Sequence, residues 1–348
     1  MTGAVITGAG VVCALGLSVP EAAAAVRTGM MLFESGPLYG PHFEPFTLAQ
    51  LPDDALPSLS AEIDRTPGLT SRELRLLRLA PRALRDCVTA LGAAAASVPL
   101  LLALPERETP IAMQPERLLS LLATQARDAF DVGTSAALGR GRAGGLIALG
   151  TAVEMVRSGQ HAHVIVGGVD TFRDPWLLAT LTGEGRVKTS QNLDGFVPGE
   201  GAAFVLVSAD TTGLPPWARL SPVSHGEEPG HLGSDVPYLG EGLAGVVAPL
   251  LAHLALPVPI RAVWSTMNGE SHWGKEWGVT YLRNRAAFDP SHAMEHPADC
   301  VGDLGAASGL FTVALAAFGA REGTHPVPAL CYASNDGAPR AAIAVLPA

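Results

Sequence analysis

RAGGLIALGTAVEMVRSGQHAHVIVGGVD, residues 142–170, is the stretch from which the fold can be read. Leu146, Leu149, Val153 and Val156 recur at spacings of three, four and three, so one face of a helix is apolar. Ala143, Gly144, Gly145, Ala148, Gly150 and Ala152 fill much of the remainder. So many small residues give weak intrinsic helicity. Such a helix forms where something packs very close to its backbone. Ser158-Gly159 ends it, and His163–Val166 reads as a short apolar strand closed by Gly167-Gly168. A buried helix feeding a buried strand is a unit of an α/β protein. The helix start can lie beside a bound group or another chain.

The chain has 348 residues, enough for one large domain or two fused halves. Hydrophobic residues make up 48% and charged residues 16%, so a large core is expected, together with a subunit interface. A net charge of −10 argues against nucleic acid or an anionic membrane as the main partner. Cys13, Cys87, Cys300 and Cys331 lie far apart without CxxC spacing, which suits reduced thiols in a cytoplasmic protein and no zinc ribbon. The start of the chain lacks a basic n-region, so no signal peptide is expected. The longest apolar run, 88–105, is interrupted by Gly92, Ser97 and Pro99. It reads as a helix end followed by strand Leu100–Leu104 rather than a membrane span.

Outward from the central unit, Ala4–Gly16 is a strand running into a turn, and Ser18 with Glu21 caps a helix. GAGVVCALG does not complete a dinucleotide fingerprint, because Cys13 stands where the third glycine belongs. Residues 34–70 read as a long surface excursion. A helix follows over 72–91, kinked or broken at Pro81, with Arg72, Arg75, Arg78, Arg82 and Arg85 mostly along one stripe. That stripe is a solvated face or a dock for an acidic partner. A helix over 115–128 and a strand within 129–138 come next. Glu200 stands between Gly199 and Gly201 in LDGFVPGEGAAFVLV, where a carboxylate can accept backbone N–H bonds and hold the loop. Residues 211–230 have linker composition. Helix 243–254, with a possible kink at Pro249, strand 258–264, a polar turn at 267–272, a mixed stretch over 273–287, a small-residue helix opened by GDLGAASG (302–309) and closing strands at 327–331 and 341–346 repeat the style of the first half. Alternating strands and helices make the class α/β, and the repeat points to a duplicated architecture of two halves, 1–212 and 213–348.

ITGAGVVCALG, LIALGTAVEMVRSGQHAHVIVGGVD, LDGFVPGEGAAFVLVS and GDLGAASGLFTVALAA fall in the order and spacing of the β-ketoacyl synthases, which the chain resembles. The resemblance implies a thiolase-like five-layered αβαβα fold, a dimer whose interface lies beside the central unit, and a link to acyl carrier proteins in fatty-acid or polyketide synthesis. It also implies a cysteine nucleophile at the start of the central helix, where the helix N-terminus and a nearby base lower its pKa. Arg142 stands there, and no Ser or Cys lies between Ser135 and Ser158. The histidine turn of the second half corresponds to Asn268-Gly269-Glu270. The second histidine corresponds to Asp303, the lysine falls near Ala298, and the Phe-containing glycine loop corresponds to 334–339. Losing these groups together removes the chemistry, because they act as a unit.

The chain is therefore expected to be a catalytically inactive synthase-like protein. It would serve as a partner subunit resembling a chain-length factor, or as a scaffold dimer, with no cofactor and no metal. Arg142, Glu270 and Asp303 are expected to converge as a self-satisfied network or a residual polar pocket, with Cys300 close by. The alternative is an acyl-thioester transferase or hydrolase using Cys300, four residues after His296, as a relocated nucleophile. His292–His296 matches HxxEH, but Pro290 and Pro297 leave little room for a metal-binding helix, and loop histidines are expected.

Overall fold

The computed structural model describes residues 3–40, 43–127, 129–254, 256 and 258–348. The first half runs β1 (Ala4–Cys13), α1 (Val19–Arg27), β2 (Glu34–Tyr39), β3 (Pro45–Leu48), α2 (Ala61–Asp64), α3 (Ser71–Cys87), β4 (Pro99–Leu104) and α4 (Pro115–Ala126). It continues through β5 (Asp131–Gly139), α5 (Gly141–Arg157), β6 (His163–Thr171), α6 (Pro175–Gly183) and β7 (Glu200–Ala209). The second half runs β8 (Ala218–Leu220), β9 (Ser224–Glu227), α7 (Glu241–Leu254), β10 (Ile260–Ser265) and α8 (Ser271–Asn284). It closes with β11 (Phe288–Glu295), α9 (Ala298–Val301), α10 (Ser308–Glu322), β12 (Ala329–Ser334) and β13 (Pro339–Leu346).

The repeat is visible in the strand order. The first half-sheet is β5-β4-β6-β7-β1, and the second is β11-β10-β12-β13-β9. In both, the second-placed strand pairs in parallel on each side, and the two remaining pairings are antiparallel. Short β8 pairs with β13 and β1 and joins the halves into one continuous sheet. α5 and α10 pack against each other and against strands of both halves, forming the middle layer. α3 and α4 cover the far side of the first half-sheet, and α7 and α8 flank the second. The five αβαβα layers follow.

Close approach explains the glycines. A Cβ on Gly145 would lie 2.8 Å from Leu310 of α10, and one on Gly309 would lie 2.6 Å from the Arg142 carbonyl. α5 and α10 therefore cross with their backbones nearly in contact. Leu146, Leu149, Val153 and Val156 are fully buried in that layer. Gly8 and Gly10, the remnant of the false nucleotide fingerprint, sit inside β1 and let α3 press on it. A Cβ there would lie 2.3 and 2.0 Å from the carbonyls of Cys87 and Ala83.

Several expectations are corrected. β6 does not stop at Gly167-Gly168, because both glycines pair with β7 and the strand runs on to Thr171. Residues 34–70 are not a plain surface excursion. They hold the β2–β3 ribbon, and Phe46, Leu48, Leu51 and Ile63 are buried; positions 41 and 42 lie outside the described residues. α3 passes through Pro81 unbroken, started by a reciprocal Thr70–Glu73 capping box, and α7 likewise continues past Pro249. The 211–230 stretch supplies β8 and β9, and 273–287 is largely helix. α4 ends at Ala126; the expected helix end at Asp128 lies outside the described residues. His292–Glu295 of HAMEH end β11, and His296 lies in the short connection after it, not in a helix. Strand alternation puts Glu295 on the opposite face from position 292, and Glu295 pairs with His325 at 3.5 Å. No helix among the described residues is long and apolar enough to cross a membrane.

Candidate functional site

The carboxyl ends of β4 and β5 in the first half and β10 and β12 in the second bring four loops together. This is where open α/β sheets usually place ligands. α5 starts at Gly141, with φ +56°, and a Cβ there would strike the Glu106 carboxylate. Arg142 follows on the first turn and points inward, 5% exposed. Its Nε donates to both carboxylate oxygens of Asp303 at 3.1 and 2.9 Å, and its Nη2 also donates to Asp303. Nη1 donates to Asp336 Oδ1 at 2.7 Å. The guanidinium carbon lies 5.6 Å from the Trp273 ring centroid, a further cation–π contact.

Asp303, 1% exposed, also accepts from Asn268 Nδ2 at 2.8 Å and from the Gly305 N–H at 2.8 Å. Asn268 Nδ2 reaches on to Glu270 at 3.0 Å, and Trp273 Nε1 donates to the same carboxylate at 3.0 Å. Glu270 does not touch Arg142. Its partner is Arg186, which donates to it in fork geometry through Nε at 2.8 Å and Nη2 at 2.7 Å. Arg186 also donates to Asp336, and Arg107 donates to Asp336 through Nε at 3.0 Å. Asp336 therefore receives three guanidinium groups.

The electrostatics follow from that arrangement. Burial pushes Asp336 up, but Arg142 and Arg186 outweigh it and hold the carboxyl far below the usual range. Burial pulls Arg142 down, and Asp303 and Asp336 together keep it well above an ordinary guanidinium. Glu106 is pushed up by burial and by the facing Asp336 charge. A cleft lined by Glu106 and Arg107 among others measures about 260 Å³, and the space lined by Ser265, Thr266, Gly302, Leu304 and Ser308 among others measures about 10 Å³. That is about the minimum for a single water. Among the described residues the network holds no thiol or imidazole, its one hydroxyl, Ser308 Oγ, donates to Asp303 at 3.4 Å, and its cations are already bonded to carboxylates.

The sequence-derived residues separate into groups. Arg142, Asn268, Glu270 and Asp303 do meet. Arg107, Arg186, Asp336 and Trp273 complete the cluster and were not singled out from sequence; an arginine with no nearby motif carries no signal until the chain folds. Cys300 is outside it. It lies in α9, 6% exposed, and burial, with Asp299 and Glu295 adding, raises its thiol pKa. Such a thiol is poorly ionised. The His296 ring Nδ1 is bonded to Ser265 Oγ at 2.7 Å, and burial lowers its pKa. Glu200 holds its loop as expected, but mainly through side chains. It accepts one backbone N–H, from Leu51 at 2.8 Å, besides Thr171 Oγ1 and a two-pronged Arg75. Gly199 and Gly201 leave no room for a Cβ against the carbonyls of Val301 and Val12.

The arginine dock is corrected in part. Arg72 and Arg75 are 3% and 6% exposed, because α3 turns them inward onto Asp170 and Glu200. Arg78 is half-buried and donates to the carbonyls of Pro57 and Leu56. Arg82 and Arg85 are exposed, although Arg82 Nε donates to the Leu17 carbonyl at 2.9 Å.

Known proteins share parts of this sequence and this fold. Residues 113–212 match the family profile of the β-ketoacyl synthase N-terminal domain. A stretch of 86 residues is 38% identical to the actinorhodin polyketide putative β-ketoacyl synthase 2 of Streptomyces coelicolor, covering 22% of this chain and 21% of that protein. The fold matches an oxazolomycin ketosynthase domain from Streptomyces albus JA3453 with a TM-score of 0.81 at 15% identity, over 100% of this chain and 74% of that one. The ishigamide ketosynthase/chain length factor matches with a TM-score of 0.71 at 21% identity, over 99% and 100%. A chain from the complex of a type II PKS acyl-carrier protein with its hexaketide-bound ketosynthase matches at 0.76 and 15%, over 100% and 99%. The resemblance to β-ketoacyl synthases and the thiolase-like fold both hold.

Proposed function

We propose that this synthase-like chain does no condensation and serves as the non-catalytic partner of an active ketosynthase, in the manner of a chain-length factor. The observation that carries the reading is Arg142. At the start of the central helix, where the family resemblance puts a thiolate, a buried guanidinium is bonded to Asp303 and Asp336. A guanidinium cannot carry an acyl group. The facing histidine positions hold Asn268 and Asp303, so no imidazole is in place there to donate to a developing oxyanion. The burial and raised pKa of Cys300, with His296 committed to Ser265, weigh against the transferase or hydrolase alternative.

Support for a partner comes from β5. It is the outermost strand of the first half-sheet and pairs only with β4. Val132 and Leu138 on it are 38% and 48% exposed, and an unpaired edge is a template for another strand. The ishigamide protein is described as a ketosynthase with a chain length factor, which fits a heterodimer, and the carrier protein would then deliver its acyl group to the partner's active site. A homodimeric scaffold is the competing arrangement.

The test is affinity purification of the tagged chain from its native host, followed by native mass spectrometry. The expected species is a one-to-one heterodimer with a cysteine-bearing ketosynthase. A homodimer or monomer with no ketosynthase at any salt concentration overturns the proposal.

A further inference from the structure

A cavity of about 750 Å³ lies between the β2–β3 ribbon, α6 and the segment 187–192, and it shares no lining residue with the charge network. Its size falls within the range of small-molecule sites, about 300–1,000 Å³. Phe33, Pro45, Phe46, Ala179 and Val197 make apolar walls, with Phe46 and Val197 buried at the base. Ala179 and Thr182 project from one face of α6, while Leu177, Leu178 and Leu181 fix the helix by its fully buried side.

The opposite wall is polar and braced. Thr189 N–H donates to the Asn192 carbonyl at 3.0 Å, and Thr189 Oγ1 accepts from the N–H groups of Gln191 and Asn192. Asn192 Nδ2 donates to the Gly185 and Val187 carbonyls at 2.6 and 3.1 Å. Ser190 Oγ donates to the Glu44 carboxylate at 2.9 Å and ties the ribbon to this turn. The cavity is therefore formed by cross-linked elements, which limits the ordering cost of binding.

Lys188 opens that turn and is the only cation among the described residues that line the cavity. Only two of the chain's 23 basic residues are lysines. The other, Lys275, is engaged with the Tyr238 carbonyl at 3.1 Å and the Tyr238 ring. Lys188 makes no ion pair among the described residues, whereas the only lining anion, Glu44, is already bonded to Ser190. An apolar cleft with one uncommitted ammonium at a rigid polar wall matches a molecule with an aliphatic body and a single carboxylate. We propose that this cleft binds a medium-chain aliphatic carboxylic acid, its chain against Phe46, Ala179 and Val197 and its carboxylate on Lys188.

The test is displacement of dansyl-undecanoate from the full chain by decanoate, by decanol and by the N-acetylcysteamine thioester of decanoate. Decanoate should compete at one site per chain, and decanol and the thioester roughly tenfold more weakly, the value of about one charge-assisted bond. Lys188→Met should erase that tenfold preference while leaving decanol competition unchanged. Ala179→Trp, at an exposed helix position that tolerates a large side chain, should fill the cleft and weaken all three; unchanged thermal melting confirms that both variants fold. Absence of saturable binding, equal affinity for decanoate and decanol, tighter binding of the thioester, or binding that survives Ala179→Trp overturns the assignment.

Discussion

Replacing Arg142 with methionine removes the cation at the centre of the network while keeping much of its aliphatic volume. Asp303 would lose its main counter-charge at a position 1% exposed, keeping only Asn268 Nδ2, the Gly305 N–H and Ser308 Oγ at 3.4 Å. Asp336 would keep Arg107 and Arg186. Breaking a buried pair from one side costs about 3–5 kcal/mol. Because Asp303 retains three donors and Asp336 two cations, the lower end applies, about 3 kcal/mol. Pairing Arg142→Met with Asp303→Asn removes the stranded charge as well, so the double variant should cost roughly 1 kcal/mol relative to wild type, not the sum of the single changes. Whatever Asp303→Asn costs alone adds to the difference between about 3 and about 1 kcal/mol, so the coupling should be at least about 2 kcal/mol. Urea unfolding followed by tryptophan fluorescence, with all four chains measured at one protein concentration, reads these values from the midpoints. A single-variant cost below about 1 kcal/mol, or additive single changes, would refute the buried network as described.

Three further outcomes follow. Asp336 is held far below the unfolded aspartate value of about 3.9, so the folded chain binds fewer protons than the unfolded one below that pH. The stability difference between wild type and Asp336→Asn should be complete above about pH 5 and shrink by roughly 1 kcal/mol at pH 3; a difference that grows as pH falls contradicts the assigned ion pairs. Cys300 should react with iodoacetamide far more slowly at pH 7.5 than a free thiol of pKa ~8.5, and Cys300→Ala should leave the melting temperature within a few degrees; rapid stoichiometric alkylation contradicts its burial. Leu138→Asp on the exposed edge of β5 should leave the chain folded but shift it to a smaller species in light scattering, and an unchanged assembly argues that β5 is not the pairing edge.

The fold was legible because its signals are local or compositional. The apolar periodicity of 146–156 and the small-residue starts of α5 and α10 are written in consecutive residues, and their burial follows from the crossing of two glycine-bearing helices. Arg142 at the start of α5 was legible too, since the surrounding motif fixes its position. The partners it takes there were only half legible. The sequence pairs Glu270 with Arg142, yet Glu270 bonds to Arg186, 84 residues away, and Asp336 gathers three arginines from separate segments, one of them the first turn of α5. Pairings at such separation have no periodicity to betray them. The α3 arginines show the same limit, because a stripe along one helix does not say that its first two members point toward Asp170 and Glu200 while Arg82 and Arg85 meet solvent. Short β8 and β9, three and four residues long, were hidden in a proline-rich stretch that reads as a linker.

Intact-protein mass spectrometry of the purified assembly after incubation with an acyl-thioester addresses the non-catalytic role at its root. The acyl adduct should appear only on a ketosynthase partner, with the mass of this chain unchanged. A stoichiometric adduct on this chain, at Cys300 or any other residue, would show that it handles acyl groups itself and that the buried arginine has not ended its chemistry.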